Sequence, residues 1–330
     1  MKTGVVFLNM GGPDSISAVR PFLYNLFSDR NIIRLGPSFL QRPIAWWIAM
    51  RRAPKSEVAY GLIGGRSPLA DITEAQARAV QSALTLEGLD VVCRAGMRYW
   101  TPRTSDVLKE MKDAGVSDVL GVSLYPHYSR ATSGSSLGDF SAKASGLGLA
   151  AHAVKSFPDY PPYIEALSEC IKEGLAAVFE ARVGEALKDP PPDFALVYSA
   201  HSLPKRMVDE GDPYVQDLGR TIKALEEKTG IRGEMSFQSR SGPVAWLEPA
   251  TAALLSRLPD QGKKRVLVVP ISFVSDHIET LYEIDMLYAG MMIEKGARLF
   301  RTPSLNDRPG FIKALCGLVR TGLKEAGWQG

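Results

Sequence analysis

The feature that most limits how this chain can fold is a regular alternation of two kinds of segment. Short apolar runs stand at GVVFLN (4–9), LDVVCRAG (89–96), DVLGVSLYP (118–126), DFALVYSA (193–200), GEMSFQS (233–239) and RVLVVPISF (265–273). Between them lie longer amphipathic stretches, at 71–87, 104–114, 163–181, 214–229 and 248–258. The runs are apolar on both faces, as parallel strands covered on each side tend to be. Strands alternating with helices give an α/β layered architecture with right-handed crossovers.

The alternation also repeats. VVFLNMGGP resembles LVYSAHSLP, AGMRYW parallels FQSRSG, and LGVSLYPHYS parallels LVVPISFVSDH. The offsets are unequal, and an extra block in the first half, near 30–70, accounts for the difference. Two similar open-sheet domains are expected, 1–160 and 161–306, with the proline-rich SFPDYPPY (156–163) at the boundary. A last helix, within 307–330, is expected to pack back on the first domain. In open sheets ligands sit beyond the carboxyl ends of the strands. The polar tips NMGGP, MRYWTP, YPHYSRATSGSS, SAHSLP, FQSRSGP and SDHIE all follow strand runs, so they are expected to converge on a cleft between the domains.

Composition narrows the function. The net charge is +3 over 330 residues. That near balance implies no polyelectrolyte partner, so nucleic acid is not expected. Cys93, Cys170 and Cys316 lie far apart and form no CxxC pair, which suits a reducing, cytoplasmic setting. The opening MKTGVVFLNMGGP is too short for a secretory signal, and no run approaches the ~20 apolar residues of a spanning helix. The block PSFLQRPIAWWIAMRRAP (37–54) is apolar on too many sides for an ordinary surface helix. It reads either as core or as an apolar lip with cationic edges, suited to a large flat ligand carrying carboxylates or to the surface of a bilayer.

The most chemically loaded stretch is VPISFVSDHIETLYEID (269–285), where an apolar run ends in Asp276, His277, Glu279, Glu283 and Asp285. A solvated first helical turn explains acids there, by capping and the helix dipole. The alternative is a site that handles protons and metal ions. On a helix Asp276, Glu279 and Glu283 share one face, whereas His277 points away from Glu279. Like charges this close are expected to raise at least one carboxyl pKa. His201, in YSAHSLP, sits at a strand tip; it is either a structural hydrogen-bonder or an imidazole kept neutral by partial burial and ready to accept a proton. LNMGGP and IGGRSP match neither GxGxxG nor a P-loop, and they read as tight turns or as backbone brought close to a flat ligand.

The order and spacing of LNMGGP, RRAPKSEVAYGLIGGRSPL, MRYWTP, YPHYSRATSGSSL, SAHSLP, GDPY, FQSRSGPVAWLEP and SDHIETLYEID resemble those of the ferrochelatases, which insert ferrous iron into a porphyrin in haem synthesis. The resemblance runs through nearly the whole chain. It implies two similar Rossmann-like domains with the active-site cleft between them. It also implies that His201 and Glu279 face each other across the porphyrin and touch the metal, with Asp276 and Glu283 forming a proton or metal path. Arg52, Tyr60 and Ser67 then contact the porphyrin and its propionates, and Arg98 and Tyr99 line the cleft wall. Met10 lies in the first strand-end loop, over the macrocycle. A tyrosine commonly stands there in relatives acting on coproporphyrin, so Met10, with YPHYS and GSSL, favours protoporphyrin IX.

On this reading Fe²⁺ is a substrate, with Zn²⁺ or Co²⁺ able to substitute, and no cofactor is required. The cysteine-bearing segment that holds a [2Fe–2S] cluster in animal enzymes is missing after Gly330, so no cluster and a monomer are expected. The expected protein is cytoplasmic, with peripheral membrane contact through the lip. The expected mechanism has neutral His201 accepting pyrrole protons on one face of the ring and Glu279 conducting protons or guiding iron on the other. The alternatives are a coproporphyrin III ferrochelatase, a chelatase for another metal and tetrapyrrole, and a non-catalytic tetrapyrrole carrier.

Overall fold

A computed structural model describes residues 3–183, 190–240, 242 and 244–328. The chain forms two compact units, Met1–Phe157 with Asn306–Gly330, and Pro158–Leu305. Unit 1 runs β1 (Thr3–Asn9), α1 (Val19–Ser28), α2 (Gln41–Leu62), α3 (Leu69–Leu86), β2 (Val91–Met97), α4 (Thr104–Asp113), β3 (Asp118–Ser123), α5 (Ser135–Gly146) and β4 (Ala150–Val154). Unit 2 runs α6 (Pro161–Phe179), β5 (Phe194–His201), α7 (Lys205–Asp209), α8 (Tyr214–Thr229), β6 (Glu234–Gln238), α9 (Thr251–Arg257), β7 (Arg265–Pro270), a π-helix (Glu279–Tyr288), α10 (Ala289–Glu294) and β8 (Arg298–Arg301). The chain then returns to unit 1 as α11 (Pro309–Glu325).

Both units carry one four-stranded, all-parallel sheet, and the strand orders are the same: β2-β1-β3-β4 and β6-β5-β7-β8. The internal repeat therefore reflects topology. β1 and β5, whose sequences resemble each other, hold equivalent inner positions, with β2 and β6 on one side and β3 and β7 on the other. Residues of β1 and β5 are buried almost without interruption, which is why they read as continuous apolar runs.

The two strands absent from the sequence reading are the short edge strands β4 and β8. Residues in AAHAV and RLFR are exposed or half-buried, so neither shows the apolar signature of an inner strand. The runs at 118–126 and 265–273 are also shorter as strands than as apolar text. They leave the sheet at Ser123 and Pro270, and the remaining residues form strand-end loops.

The topological equivalence extends to the helices. In α6, Gly174 packs so closely on Leu267 of β7 and on Thr302 that a Cβ there would lie 2.9 Å from a Leu267 methyl. In α11, Gly322 meets Leu120 of β3 and Val154 of β4 with the same 2.9 Å closest approach. The C-terminal helix thus covers in unit 1 the sheet region that α6 covers in unit 2. It is tied there by Gln76 donating to the Asn306 carbonyl at 2.7 Å and by an Arg320–Glu87 ion pair.

Each unit has its own core. In unit 1, Val6 and Leu8 of β1 pack with Leu108 and Met111 of α4 and Phe140 of α5. In unit 2, Val197, Val266 and Val268 pack with Leu254, Leu255, Ile284, Tyr288 and Met292. Fully burying such side chains stabilises by about 1.5–3 kcal/mol each. Ile284 and Tyr288 belong to the π-helix, so the core of unit 2 holds by its apolar side the segment that carries the acids.

Candidate active site

The strand tips of unit 2 place an imidazole and a carboxylate in direct contact. His201 is the last residue of β5, and its backbone N–H donates to Ser272 Oγ at 2.9 Å while its carbonyl accepts from the Tyr214 hydroxyl at 3.0 Å. With the backbone fixed on both sides, the side chain brings Nδ1 to 3.0 Å from Glu279 Oε2. Glu279 opens the π-helix, whose hydrogen bonds reach five residues back and whose side chains are staggered differently from those of an α-helix.

This contact corrects the expectation that His201 and Glu279 lie on opposite faces of a porphyrin. A planar ring needs about 3.5 Å of carbon contact on each face, and a 3.0 Å hydrogen bond leaves no room for one between the two groups. The pair acts as a unit. Glu279 holds Nδ1, and His201 Nε2 has no hydrogen-bond partner among the described residues. A second expectation also changes. Burial draws His201 down, but the charge and hydrogen bond of Glu279, with the charge of Glu283, outweigh it and raise its pKa above the ordinary 6.5. Burial does not keep this imidazole neutral; the carboxylates favour its protonated form.

Glu279 itself moves opposite to the expectation of a raised carboxyl. Burial pushes it up, but the charge and hydrogen bond of His201, supported by His277, hold it well below the usual carboxylate range. His277 does not point away. Asp276 and His277 precede the π-helix, so helical rotation does not apply to them, and His277 Nε2 lies 3.9 Å from Glu279 Oε2. Its Nδ1 sits 3.0 Å from the Ser275 carbonyl, and Phe273 lies tilted with its ring centre 4.3 Å from that of His277 and edge-on at 6.4 Å from that of His201.

Nor do the three acids form one continuous strip. Glu283 accepts from Ser239 N and Oγ, from Gln238 Nε2 and from the Tyr288 hydroxyl, at 2.5–3.2 Å. Asp276 accepts from Ser304 Oγ at 2.7 Å and from Thr280 Oγ1 at 3.2 Å, and it pairs with Arg301 at 3.0 Å. Gln238, at the end of β6, ties the arrangement together. Ser199 Oγ donates to its Oε1 at 2.6 Å, while its Nε2 reaches both the Glu279 carbonyl and the Glu283 carboxylate at 3.2 Å. Gln238 and Ser239 carry no local sequence signal, because their contacts span about forty residues, whereas Tyr214 and Tyr288 reach His201 and Glu283 from 13 and 5 residues away. The one signal for Gln238 and Ser239 is their place at the tip of β6. Among the described residues, no group of three or more His, Cys, Asp or Glu side chains forms a metal-holding cluster. The arrangement supports proton handling and transient contact with a cation rather than storage.

The remaining sequence-derived candidates belong to unit 1. Arg98 and Tyr99 follow β2 and converge on Asp29, a residue with no sequence signal of its own. Arg98 Nη2 and the Tyr99 hydroxyl each donate to Asp29 Oδ2 at 2.8 Å, and Ser135 Oγ donates to the same oxygen at 2.5 Å. Burial raises the Asp29 pKa, but these bonds, the Asn31 N–H and the Arg98 charge overcome it and hold the carboxyl below its ordinary value. Met10 closes the β1 loop against β2, its carbonyl accepting from Tyr99 N at 2.9 Å.

The glycine loops of the sequence are explained by each other. Ser67 N donates to the Pro13 carbonyl at 2.8 Å, and a Cβ on Gly12 would stand 2.4 Å from Ser67 Oγ. LNMGGP and IGGRSP therefore pack backbone to backbone, and Gly12 is required by that approach. Tyr60 is buried in α2, and Arg52 lies on the same helix with its guanidinium 5.4 Å from the Phe27 ring centre. The apolar block is surface, not core: Phe39 is 75% exposed, Trp46 55% and Trp47 49%, with Arg51 over the Trp47 ring at 4.6 Å.

Comparison with known proteins gives consistent results. The family model described as Ferrochelatase matches residues 2–323. A ferrochelatase of Desulfotalea psychrophila is 50% identical over 321 residues, covering 97% of each chain. One from Geotalea daltonii is 48% identical over 325 residues, covering 97% of this chain and 98% of its own. In structure, the chain is similar to SirB of Bacillus subtilis solved with Fe³⁺, with a TM-score of 0.55 and 12% identity over 99% of this chain and 98% of that one, a likeness of fold.

Proposed function

Since the chain belongs to the ferrochelatase family, and is a lyase-class metal chelatase that puts ferrous iron into a porphyrin in haem biosynthesis, we propose that His201 Nε2 is the group that accepts the pyrrole protons, with Glu279 orienting the ring and stabilising the imidazolium. The observation that carries this reading is the 3.0 Å His201–Glu279 hydrogen bond at the tip of β5. Metallation requires the two pyrrole N–H protons to leave as Fe²⁺ enters. A carboxylate bound at Nδ1 fixes which ring nitrogen faces outward and makes the imidazole a stronger base, as in other carboxylate–histidine pairs. The cost is that less of it is unprotonated at neutral pH; it takes the two protons one at a time, releasing the first to water before it accepts the second.

Glu283, saturated by Ser239, Gln238 and Tyr288, serves in this reading to anchor the π-helix rather than to relay protons, and it adds negative potential beside His201. That potential favours a dication approaching the same region. Fe²⁺ is handled as substrate, and Zn²⁺ or Co²⁺ suits the same nitrogen and oxygen donors.

The porphyrin in this proposal is protoporphyrin IX. It carries vinyl groups where coproporphyrin III carries further propionates, and Met10 offers an apolar, adaptable thioether at the β1 loop where a hydroxyl would suit a carboxylate better. Arg52, Tyr60 and Ser67, with Arg98 and Tyr99, are the proposed porphyrin contacts. Turnover of the two porphyrins under the same conditions tests this: a higher kcat/KM for protoporphyrin IX supports it, and a higher value for coproporphyrin III overturns it. Among the described residues, no helix is long and apolar enough to cross a membrane. We assign Phe39, Trp46 and Trp47, flanked by Arg51 and Arg52, to peripheral contact with a bilayer from the cytoplasmic side. Replacing both tryptophans with serine should release the protein from sedimenting vesicles.

A further inference from the structure

Unit 1 contains an open cavity of about 470 Å³ lined by three arginines, Arg30, Arg42 and Arg103, that the porphyrin contacts proposed above do not include. That size lies within the ~300–1,000 Å³ typical of small-molecule sites. Four arginines line it, Arg30, Arg42, Arg98 and Arg103, against a single aspartate, Asp29. Asp29 is already spent: Arg98, Tyr99 and Ser135 all bind its Oδ2, and the Asn31 N–H holds its other oxygen at 2.8 Å. Arg98 is spent as well, with Nε on Ser135 at 3.0 Å and Nη1 3.4 Å from Asp139. Arg30 donates to the Gly36 carbonyl at 2.9 Å, and neither it nor Arg42 nor Arg103 has a carboxylate partner among the described residues. Three guanidinium groups thus border one cavity without countercharge from the protein.

We propose that this cavity is a binding site for a phosphate oxyanion. Guanidinium groups that line one cavity match phosphate oxygens through charge-assisted, bidentate hydrogen bonds, and a phosphate monoester brings close to two negative charges with three acceptor oxygens. The Asp29–Arg98–Tyr99–Ser135 network fixes one part of the lining, so the ordering on binding falls on Arg30, Arg42 and Arg103. The surroundings admit two sources of the same chemistry. Arg42 lies four residues, one helical turn, before exposed Trp46 on α2, so a phosphate headgroup in the cavity would have its apolar chains beside an apolar face. A free phosphate or soluble phosphate ester needs only the arginines.

The test uses the full chain in low-salt chloride buffer, titrated calorimetrically with inorganic phosphate, and in parallel sedimented with phosphatidylcholine vesicles with and without phosphatidic acid. The variants are Arg103→Gln and Arg42→Gln with Arg103→Gln. Neither arginine has a side-chain bond to another of the described residues, and unchanged circular dichroism checks that the fold is kept. Saturable phosphate binding that weakens with added salt, and by about tenfold or more in the double variant, is the expected result for the shared chemistry. Added vesicle binding that depends on phosphatidic acid and is lost in the double variant identifies a lipid headgroup as the source, and phosphate binding without it identifies a free anion. The proposal is overturned if wild type binds neither probe saturably, or if the double variant binds both as wild type does.

Discussion

Replacing Glu279 with Gln removes one charge and almost nothing else. The amide has nearly the same volume and can still accept a hydrogen bond from His201 Nδ1, so the 3.0 Å contact survives in neutral form. A hydrogen bond to a charged group contributes about 1.5–3 kcal/mol and a neutral one about 0.5–1.5 kcal/mol, so roughly 1–2 kcal/mol of imidazolium stabilisation is lost. If proton transfer to His201 limits the reaction, kcat for Fe²⁺ or Zn²⁺ insertion falls by roughly 5- to 30-fold, with porphyrin KM little changed.

The pH profile gives a second, independent reading of the same change. Activity requires Nε2 unprotonated, and with the His201 pKa raised, the acid limb of wild type lies above the ordinary 6.5. Removing the Glu279 charge leaves burial as the dominant influence on His201, so the acid limb of the variant moves to lower pH. The deficit should therefore be greatest at high pH and shrink on acidification. Porphyrin fluorescence followed in real time measures both quantities. A variant with wild-type kcat and an unmoved acid limb would refute the pairing as the basis of the chemistry.

Three further outcomes follow from the same geometry. Tyr288→Phe removes one hydrogen bond from Glu283 and should lower kcat by about fivefold while leaving porphyrin affinity, measured by fluorescence quenching, close to wild type. Gly12→Ala places a methyl against Ser67 and should destabilise unit 1 by about 1–3 kcal/mol, read as a lower urea midpoint. Asp29→Asn should cost about 1–3 kcal/mol at neutral pH. Because the folded-state pKa of Asp29 is depressed, its contribution is present above the ordinary aspartate value of ~3.9 and is lost as pH falls through the folded pKa, so variant and wild type should converge in strong acid.

The sheets were legible because an inner parallel strand is buried on both faces, and such burial writes itself as an unbroken apolar run; β1, β5 and β7 show it best. β4 and β8 were not, since an edge position half-exposes its residues. The candidate site divided along a similar line. His201 stood out because a polar residue ended a buried strand. The mutual placement of the acids did not, because helical periodicity assumes an α-helix and the segment from Glu279 is a π-helix that begins only after Asp276 and His277. Asp29 had no local signature at all: its significance comes from Arg98, Tyr99 and Ser135, dozens of residues away in sequence and joined to it by tertiary packing.

The measurement that bears most directly on the account is the single-turnover rate of metal insertion by His201→Ala with protoporphyrin already bound. The side chain touches Glu279 and little of the core, so the variant should fold and bind porphyrin while insertion slows by about 10²- to 10⁴-fold, the usual worth of a positioned base. Insertion at the wild-type rate would contradict the assignment of His201 as the proton acceptor.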